Sequence, residues 1–126
     1  IEPLDTLIKS TGYEYYVDFA TIDKYQLDIE ITKPTNGLYC FNRNLIPANQ
    51  PIILGPIQVE ITELLNQTTV DYLELYIDDV LVSTGDNNII PLIWKKMSFG
   101  RHNVKVIAFD IYGNRATDEI EVIKIF

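Results

Sequence analysis

Cysteine and histidine are almost missing from this 126-residue sequence, in which Cys40 is the only cysteine and His102 the only histidine. One thiol cannot form a disulfide within the chain, so the fold has to be held together without one. A structural zinc site needs four ligands, mostly Cys or His, and this composition cannot supply them. A hydrolytic triad would have to be built around His102, for which we expect a packing role instead.

Basic residues are also scarce. Ten Lys and Arg oppose 18 Asp and Glu, which gives a formal net charge of −8 at pH 7. Such a surface repels the phosphates of nucleic acids and of anionic lipids, so we expect neither as a partner. No apolar run approaches the roughly 20 residues of a membrane-spanning helix, and we expect no direct membrane insertion. Because Ile1 is neither a start methionine nor part of a signal peptide, we expect a piece of a longer protein.

From Leu27 onward, apolar residues recur at every second position, in short runs separated by Pro, Gly, Asn and Asp. The segment 57–62, Ile-Gln-Val-Glu-Ile-Thr, shows this alternation clearly. It is typical of a strand with one packed face and one solvated face. About seven such runs predict an all-β sandwich of two sheets over residues 27–126.

Residues 1–26 follow a different pattern. Pro3, Leu4, Leu7 and Ile8 are spaced as on a helix ahead of Gly12, which predicts one short helix. Alternation over residues 13–19 then indicates an added strand at a sheet edge. We interpret residues 1–26 as an N-terminal helix/strand extension or as the remnant of a preceding domain.

Three segments carry a resemblance to a known family. Residues 31–37 are Ile-Thr-Lys-Pro-Thr-Asn-Gly, and residues 73–79 are Leu-Glu-Leu-Tyr-Ile-Asp-Asp. Residues 106–114, Val-Ile-Ala-Phe-Asp-Ile-Tyr-Gly-Asn, are the most specific. Together they resemble the bacterial and archaeal immunoglobulin-like (Big-type) domains of secreted and cell-surface proteins. The resemblance implies an immunoglobulin-like sandwich and an extracellular or cell-surface location, and it implies no activity.

Tyrosines on one strand are the candidate ligand-binding residues. Tyr72 and Tyr76 fall on the strand face opposite Leu73, Leu75 and Ile77, where flat rings can stack on a sugar. A tyrosine row on an outer sheet face is also common for strand propensity and cross-strand packing alone. Both interpretations stay open at this point.

Acidic loop residues raise the question of calcium. Asp78, Asp79 and Asp86 offer the oxygen ligands that calcium prefers. No loop has the spacing of an EF-hand, however, and acidic side chains also protect sheet edges from pairing with other chains. We interpret the three residues as a solvated acidic rim and expect no bound metal.

A structural turn is expected near the carboxyl end of the sequence. We expect Asp110, Gly113 and Asn114 to form it. The Asp110 carboxylate would accept hydrogen bonds from backbone amides, and Gly113 would supply a positive φ.

The expected function is that of a non-catalytic structural or spacer module in an extracellular or cell-surface protein. Its expected partners are the neighbouring domains of the parent protein. The alternative is adhesion, in which the outer sheet face or the acidic loops bind a glycan or another surface protein. We expect no enzyme activity and no cofactor, and the acceptor pattern Asn66-Gln67-Thr68 for N-glycosylation favours export.

Overall fold

Ten strands make up the part of the chain that the computed structural model describes, which is residues 26–65, 69–86 and 91–126. In chain order they are β1 (Ile29–Lys33), β2 (Gly37–Cys40), β3 (Arg43–Ile46), β4 (Pro51–Leu54), β5 (Ile57–Glu63), β6 (Val70–Ile77), β7 (Val80–Gly85), β8 (Leu92–Trp94), β9 (Gly100–Asp110) and β10 (Arg115–Lys124). They form a seven-stranded sheet in the order β3-β2-β4-β10-β9-β6-β7 and a three-stranded sheet in the order β1-β5-β8. The predicted all-β, two-sheet immunoglobulin-like sandwich is confirmed, with ten strands instead of about seven.

The additional strands come from residues 37–54, where prolines and asparagines interrupt the alternation. β2 pairs antiparallel with β3 and parallel with β4. β4 in turn pairs parallel with β10, with Ile52 opposite Ile123. Because β4 and β10 lie far apart in the sequence, the local pattern cannot show that this segment widens the large sheet.

Period-two alternation places one apolar row of each long strand between the sheets. In β9, Val104, Val106 and Ala108 are fully buried, whereas the residues between them reach solvent. Trp94 of β8 belongs to the same core and is 3% exposed. The core consists of Ile29, Ile31, Tyr39, Ile53, Ile57, Val59, Val70, Leu75, Ile77, Leu92, Trp94, Val104, Val106, Ala108, Ala116 and Val122.

The turn between β6 and β7 consists of Asp78 and Asp79, with φ values of 52° and 66°. A two-residue hairpin with the right-handed strand twist favours positive φ at both turn positions, where Gly and Asn are preferred. Asp tolerates this conformation better than most residues. The turn lies beside the start of β9, because the Asp78 N–H donates to the carbonyl of Asn103 at 2.9 Å.

Residues 1–25 lie outside the described part of the chain, and with them the predicted helix over residues 3–8 and the predicted strand over residues 13–19. The acceptor pattern at residues 66–68 lies outside it as well. The domain boundary between residues 26 and 27 stays a prediction. In the described segments, no helix is long and apolar enough to cross a membrane.

Candidate functional site

Three polar side chains form a hydrogen-bonded chain at the end of the sandwich where β9 begins. Nδ1 of His102 lies 2.6 Å from Oδ2 of Asp78, and Nε2 of His102 lies 2.6 Å from Oγ of Ser98. If Nδ1 carries the proton, it donates to Asp78, and Nε2 accepts from the Ser98 hydroxyl. This is the connectivity of nucleophile, base and orienting carboxylate in a hydrolytic triad. The sequence did not reveal this chain, since its members come from the β6–β7 turn, the β8–β9 connection and β9.

We call these residues, Asp78, His102 and Ser98, the relay. Each carboxylate oxygen of Asp78 is engaged, because Oδ1 accepts the N–H of Asn103 at 2.8 Å. This backbone bond, together with the bond to His102, holds the pKa of Asp78 below its ordinary value. The His102 ring packs edge-on against Trp94, with ring centroids 5.4 Å apart. The relay therefore joins a loop, a hairpin and a core side chain.

Acyl transfer would need more than this relay. Donors must point at the oxygen that becomes negative, and a substrate must fit beside the nucleophile. An open groove of about 520 Å³ does form in the described part of the chain, but none of the relay residues lines it. The groove is lined by Ile31, Pro34, Thr35, Asn36, Pro51, Ile120 and Glu121. The groove therefore lies apart from His102, which is the only histidine of the sequence.

Tyr72 and Tyr76 lie on the outer face of β6, where Tyr72 is 38% exposed. Strand register places Phe109 opposite Tyr72 and Lys105 opposite Tyr76. The rings of Tyr72 and Phe109 are tilted by 39° with centroids 5.8 Å apart, and Lys105 Nζ lies 5.3 Å from the Tyr76 ring centroid. The Tyr76 hydroxyl donates to Glu74 at 2.9 Å, and this bond raises the pKa of Tyr76. The face combines aromatic surface with charged groups, which suits both cross-strand packing and ligand contact.

The three acidic candidates for calcium are not brought together. Asp78 belongs to the relay, and Asp79 Oδ1 lies 3.1 Å from Lys105 Nζ. Asp86 follows β7 at its far end, so the strand puts roughly 20 Å between it and the turn. Within residues 26–65, 69–86 and 91–126, no three His, Cys, Asp or Glu side chains cluster in a way that could hold a metal ion.

Asp110 lies at the β9–β10 turn and is 5% exposed. Its Oδ1 accepts hydrogen bonds from the backbone N–H groups of Tyr112 and Asn114, each at 2.9 Å. Its Oδ2 accepts one from the side-chain Nδ2 of Asn114 at 3.0 Å. Gly113 has a φ of 86°, and its N–H donates to the Asp110 carbonyl at 3.3 Å. The carboxylate therefore caps the turn from inside.

Lys124 is a buried cation that our reading of the sequence missed. It is 0% exposed, and its Nζ donates to the Gly55 carbonyl at 2.8 Å and to the main-chain oxygen of Phe126. Nζ also lies 5.1 Å from the centroid of the Trp94 ring. Removal from water lowers the pKa of Lys124. Its position two residues after the inward-facing Val122 was the available signal.

No family model and no curated protein matches the sequence. Among solved structures, fibronectin(III)-like modules of Clostridium thermocellum CbhA align with a TM-score of 0.56 at 19% identity, over 77% of this chain and 94% of that chain. An engineered protein aligns with a TM-score of 0.50 at 16% identity, over 80% of this chain and 20% of its own. An endo-beta-1,4-mannanase from Thermotoga petrophila gives 0.49 at 12% identity, over 79% of this chain and 20% of that chain. At such identities the likeness concerns the fold alone, which is that of an immunoglobulin-like β-sandwich.

Proposed function

We propose that this chain is a non-catalytic structural module of an extracellular or cell-surface protein, in which it spaces or presents neighbouring domains. The observation that carries the proposal is the engagement of the relay. Asp78 and His102 tie the β6–β7 turn to β9, and Ser98 ties the preceding connection to both. These bonds hold a turn, a connection and a strand together, which suits a structural module, and none of the three residues lines the groove described above.

Two likenesses support the same role. The fibronectin(III)-like modules of CbhA share the fold, and the alignment covers 94% of their length. The sequence resemblance to Big-type immunoglobulin-like domains favours a module of a secreted or surface protein.

A spacer has to be stiff along its length. β9 and β10 pair without interruption from Gly100–Lys124 to Phe109–Arg115, a ladder of ten residue pairs. Such a ladder is roughly 30 Å long. The buried residues of both strands anchor it to the common core, so bending it would require core contacts to break.

Serine-directed chemistry tests the non-catalytic part of the proposal. The wild type, Ser98→Ala and the control Ser83→Ala are treated with a fluorophosphonate probe and assayed with p-nitrophenyl acetate. Ser83 is a suitable control because its hydroxyl also makes a structural bond, to the N–H of Ile93 at 3.3 Å. We expect no labelling of Ser98 and no turnover. Stoichiometric labelling that is lost only in Ser98→Ala would show an active nucleophile and end the proposal.

Accessibility on intact cells tests the location. Cells that make the parent protein are treated with a protease that does not enter them, and peptides of this chain are identified in the supernatant. We expect their release before lysis. Peptides that are released only after lysis would place the module inside the cell and contradict the proposal.

A second candidate function is binding of a glycan or of another surface protein through the outer face of the large sheet. It is favoured by the aromatic pair Tyr72 and Phe109 and by Tyr76, Lys105 and Glu74 beside it. Rings supply stacking surface, and the charged groups supply hydrogen bonds to hydroxyls.

A further inference from the structure

The β8–β9 connection carries two large apolar side chains far into solvent. Its residues 95–99 are Lys-Lys-Met-Ser-Phe, in which Met97 is 75% and Phe99 80% exposed. Phe99 is the most exposed large hydrophobic residue in the described part of the chain. Single exposed apolar residues are ordinary on protein surfaces, but two in one five-residue loop form a protruding apolar tip.

The relay holds this tip in place. Ser98, which lies between the two exposed residues, is bonded to His102, and His102 is bonded to Asp78. A loop that is already fixed loses less conformational entropy when it binds than a free loop does. The apolar tip is therefore arranged for contact before any partner arrives.

The positive charge beside the tip favours a partner surface that carries a carboxylate. Lys95 and Lys96 are both exposed, and no ion pair in the described segments involves either of them. They form a small positive site on a chain whose formal charge is −8. A surface with an apolar recess and a carboxylate beside it would complement this loop.

The same chain has such a surface in the groove between β1, β4 and β10. Ile31, Pro34, Pro51 and Ile120 give it apolar walls, and Glu121 places a carboxylate at its side. The Glu121 side chain forms an ion pair with Arg101. Because it is 64% exposed, a second cation can still approach it. The rim of the groove is fixed at Thr35, because the N–H of Thr35 donates to the Tyr39 hydroxyl at 3.1 Å.

We propose that loop 95–99 of one copy docks in this groove on a second copy, with Phe99 between the apolar walls and the two lysines facing Glu121. Two copies with a charge of −8 each repel one another at a distance, so a contact has to set lysines against carboxylates. Because loop and groove are different surfaces, the contact is heterologous, so copies add in a closed ring or in an open row. The contact does not depend on whether the proposed spacer role is correct.

Sedimentation velocity of the full 126-residue chain, from micromolar to millimolar concentration, tests the contact. We expect reversible association that grows with concentration, and a roughly tenfold weaker association for Phe99→Ala because Phe99 is the central apolar contact. Ile111→Ala is the matched control, since Ile111 is 71% exposed on the opposite β9–β10 turn. It should associate like the wild type.

A charge exchange tests the pairing of loop and groove. The doubly substituted Lys95→Glu, Lys96→Glu chain and the Glu121→Lys chain should each stay monomeric, because like charges then meet. Mixed together, they should associate again, since each loop meets a groove of opposite charge. A mixture that stays monomeric overturns the proposal.

Three further outcomes would also overturn it. A wild type that is monomeric at every concentration has no such contact. Association that persists in Phe99→Ala but is lost in Leu81→Lys would place the contact at the exposed edge strand β7. Association that appears only after removal of residues 1–25 would mean that the full chain does not make this contact.

Discussion

Nδ1 of His102 lies 2.6 Å from Oδ2 of Asp78, and through this contact the β6–β7 turn is fastened to the first residues of β9. Both turn residues have positive φ, a conformation that has a free-energy cost for every residue except glycine, although Asp and Asn tolerate it better than most. The bonds that Asp78 makes to His102 and to the N–H of Asn103 offset that cost. The folded protein therefore favours the ionised carboxylate of Asp78 over its protonated form.

Asp78→Asn keeps a residue that tolerates positive φ, removes the charge, and replaces one of the two oxygens that bond to His102 and to the N–H of Asn103 by an amide donor. The folded-state pKa of Asp78 is lowered, first by the Asn103 N–H and next by His102. The charge therefore stabilises the fold above the unfolded pKa of about 3.9, and this contribution is lost as the pH falls through the lower folded pKa. Since the side chain is 52% exposed and screened, we expect a loss of at most about 1 kcal/mol at pH 7. Urea unfolding from pH 7 down to pH 2 measures it.

Asp79→Asn is the control for this experiment. Asp79 also has a positive φ in the same turn, but its side chain is 83% exposed and its carboxylate bonds to the Lys105 ammonium. We expect its unfolding midpoint to match the wild type. Equal losses in both variants would mean that the relay adds nothing beyond the turn charge.

At the β9–β10 turn, we expect Asp110→Ala and Gly113→Ala each to lower the free energy of unfolding by roughly 1 kcal/mol or more. The first leaves two backbone N–H groups without their acceptor. The second forces a side chain into a φ of 86°, and since nothing lies within 4 Å of the added Cβ, the cost is conformational and not steric. Denaturant midpoints measure both. Ile111→Ala, in the same turn but exposed, should leave the midpoint unchanged, and unchanged midpoints for all three would refute the capping role.

The strands with regular alternation could be predicted from the sequence. Residues 57–62 and 104–110 reveal their buried faces by period two, because a strand between a core and solvent has to alternate. Residues 37–54 could not be assigned, since β2 and β4 owe their place to parallel pairing with each other and with the distant β10. Local pattern contains no information on which distant strand is the partner.

The candidate sites could be predicted only in part. Period two placed Tyr72 and Tyr76 on the outer face of β6, but it could not show that Phe109 and Lys105 lie against them. The relay joins residues up to 24 positions apart on different elements, so no motif spacing indicates it. Tertiary geometry alone brings these groups together.

Thermal unfolding should not respond to a reductant or to a zinc chelator. Cys40 is a free thiol, so reduction has no intrachain disulfide to break, and the composition cannot assemble a structural zinc site. Melting curves by circular dichroism, with and without each reagent, measure the effect. A clear fall in the melting temperature in either condition would contradict this prediction.

Substitutions on the outer sheet face can distinguish the two candidate functions, because the side chains of this face already contact one another. Tyr76 donates to Glu74 and lies under Lys105, and Tyr72 packs against Phe109. If the tyrosines serve only cross-strand packing, replacing one ring removes contacts that stabilise the fold. If the face binds a glycan, losing a ring removes stacking surface instead.

We therefore expect the wild type to bind no polysaccharide on a glycan array, and Tyr72→Ala and Tyr76→Ala to lower the melting temperature. Tyr76→Phe is the control, because it keeps the ring under Lys105 and loses only the hydroxyl bond to Glu74. Its melting temperature should stay closer to the wild type than that of Tyr76→Ala, since most of the cross-strand contact comes from the ring. Saturable binding that both alanine variants lose at an unchanged melting temperature would instead establish the face as a glycan site, and the spacer function would then have to give way to adhesion.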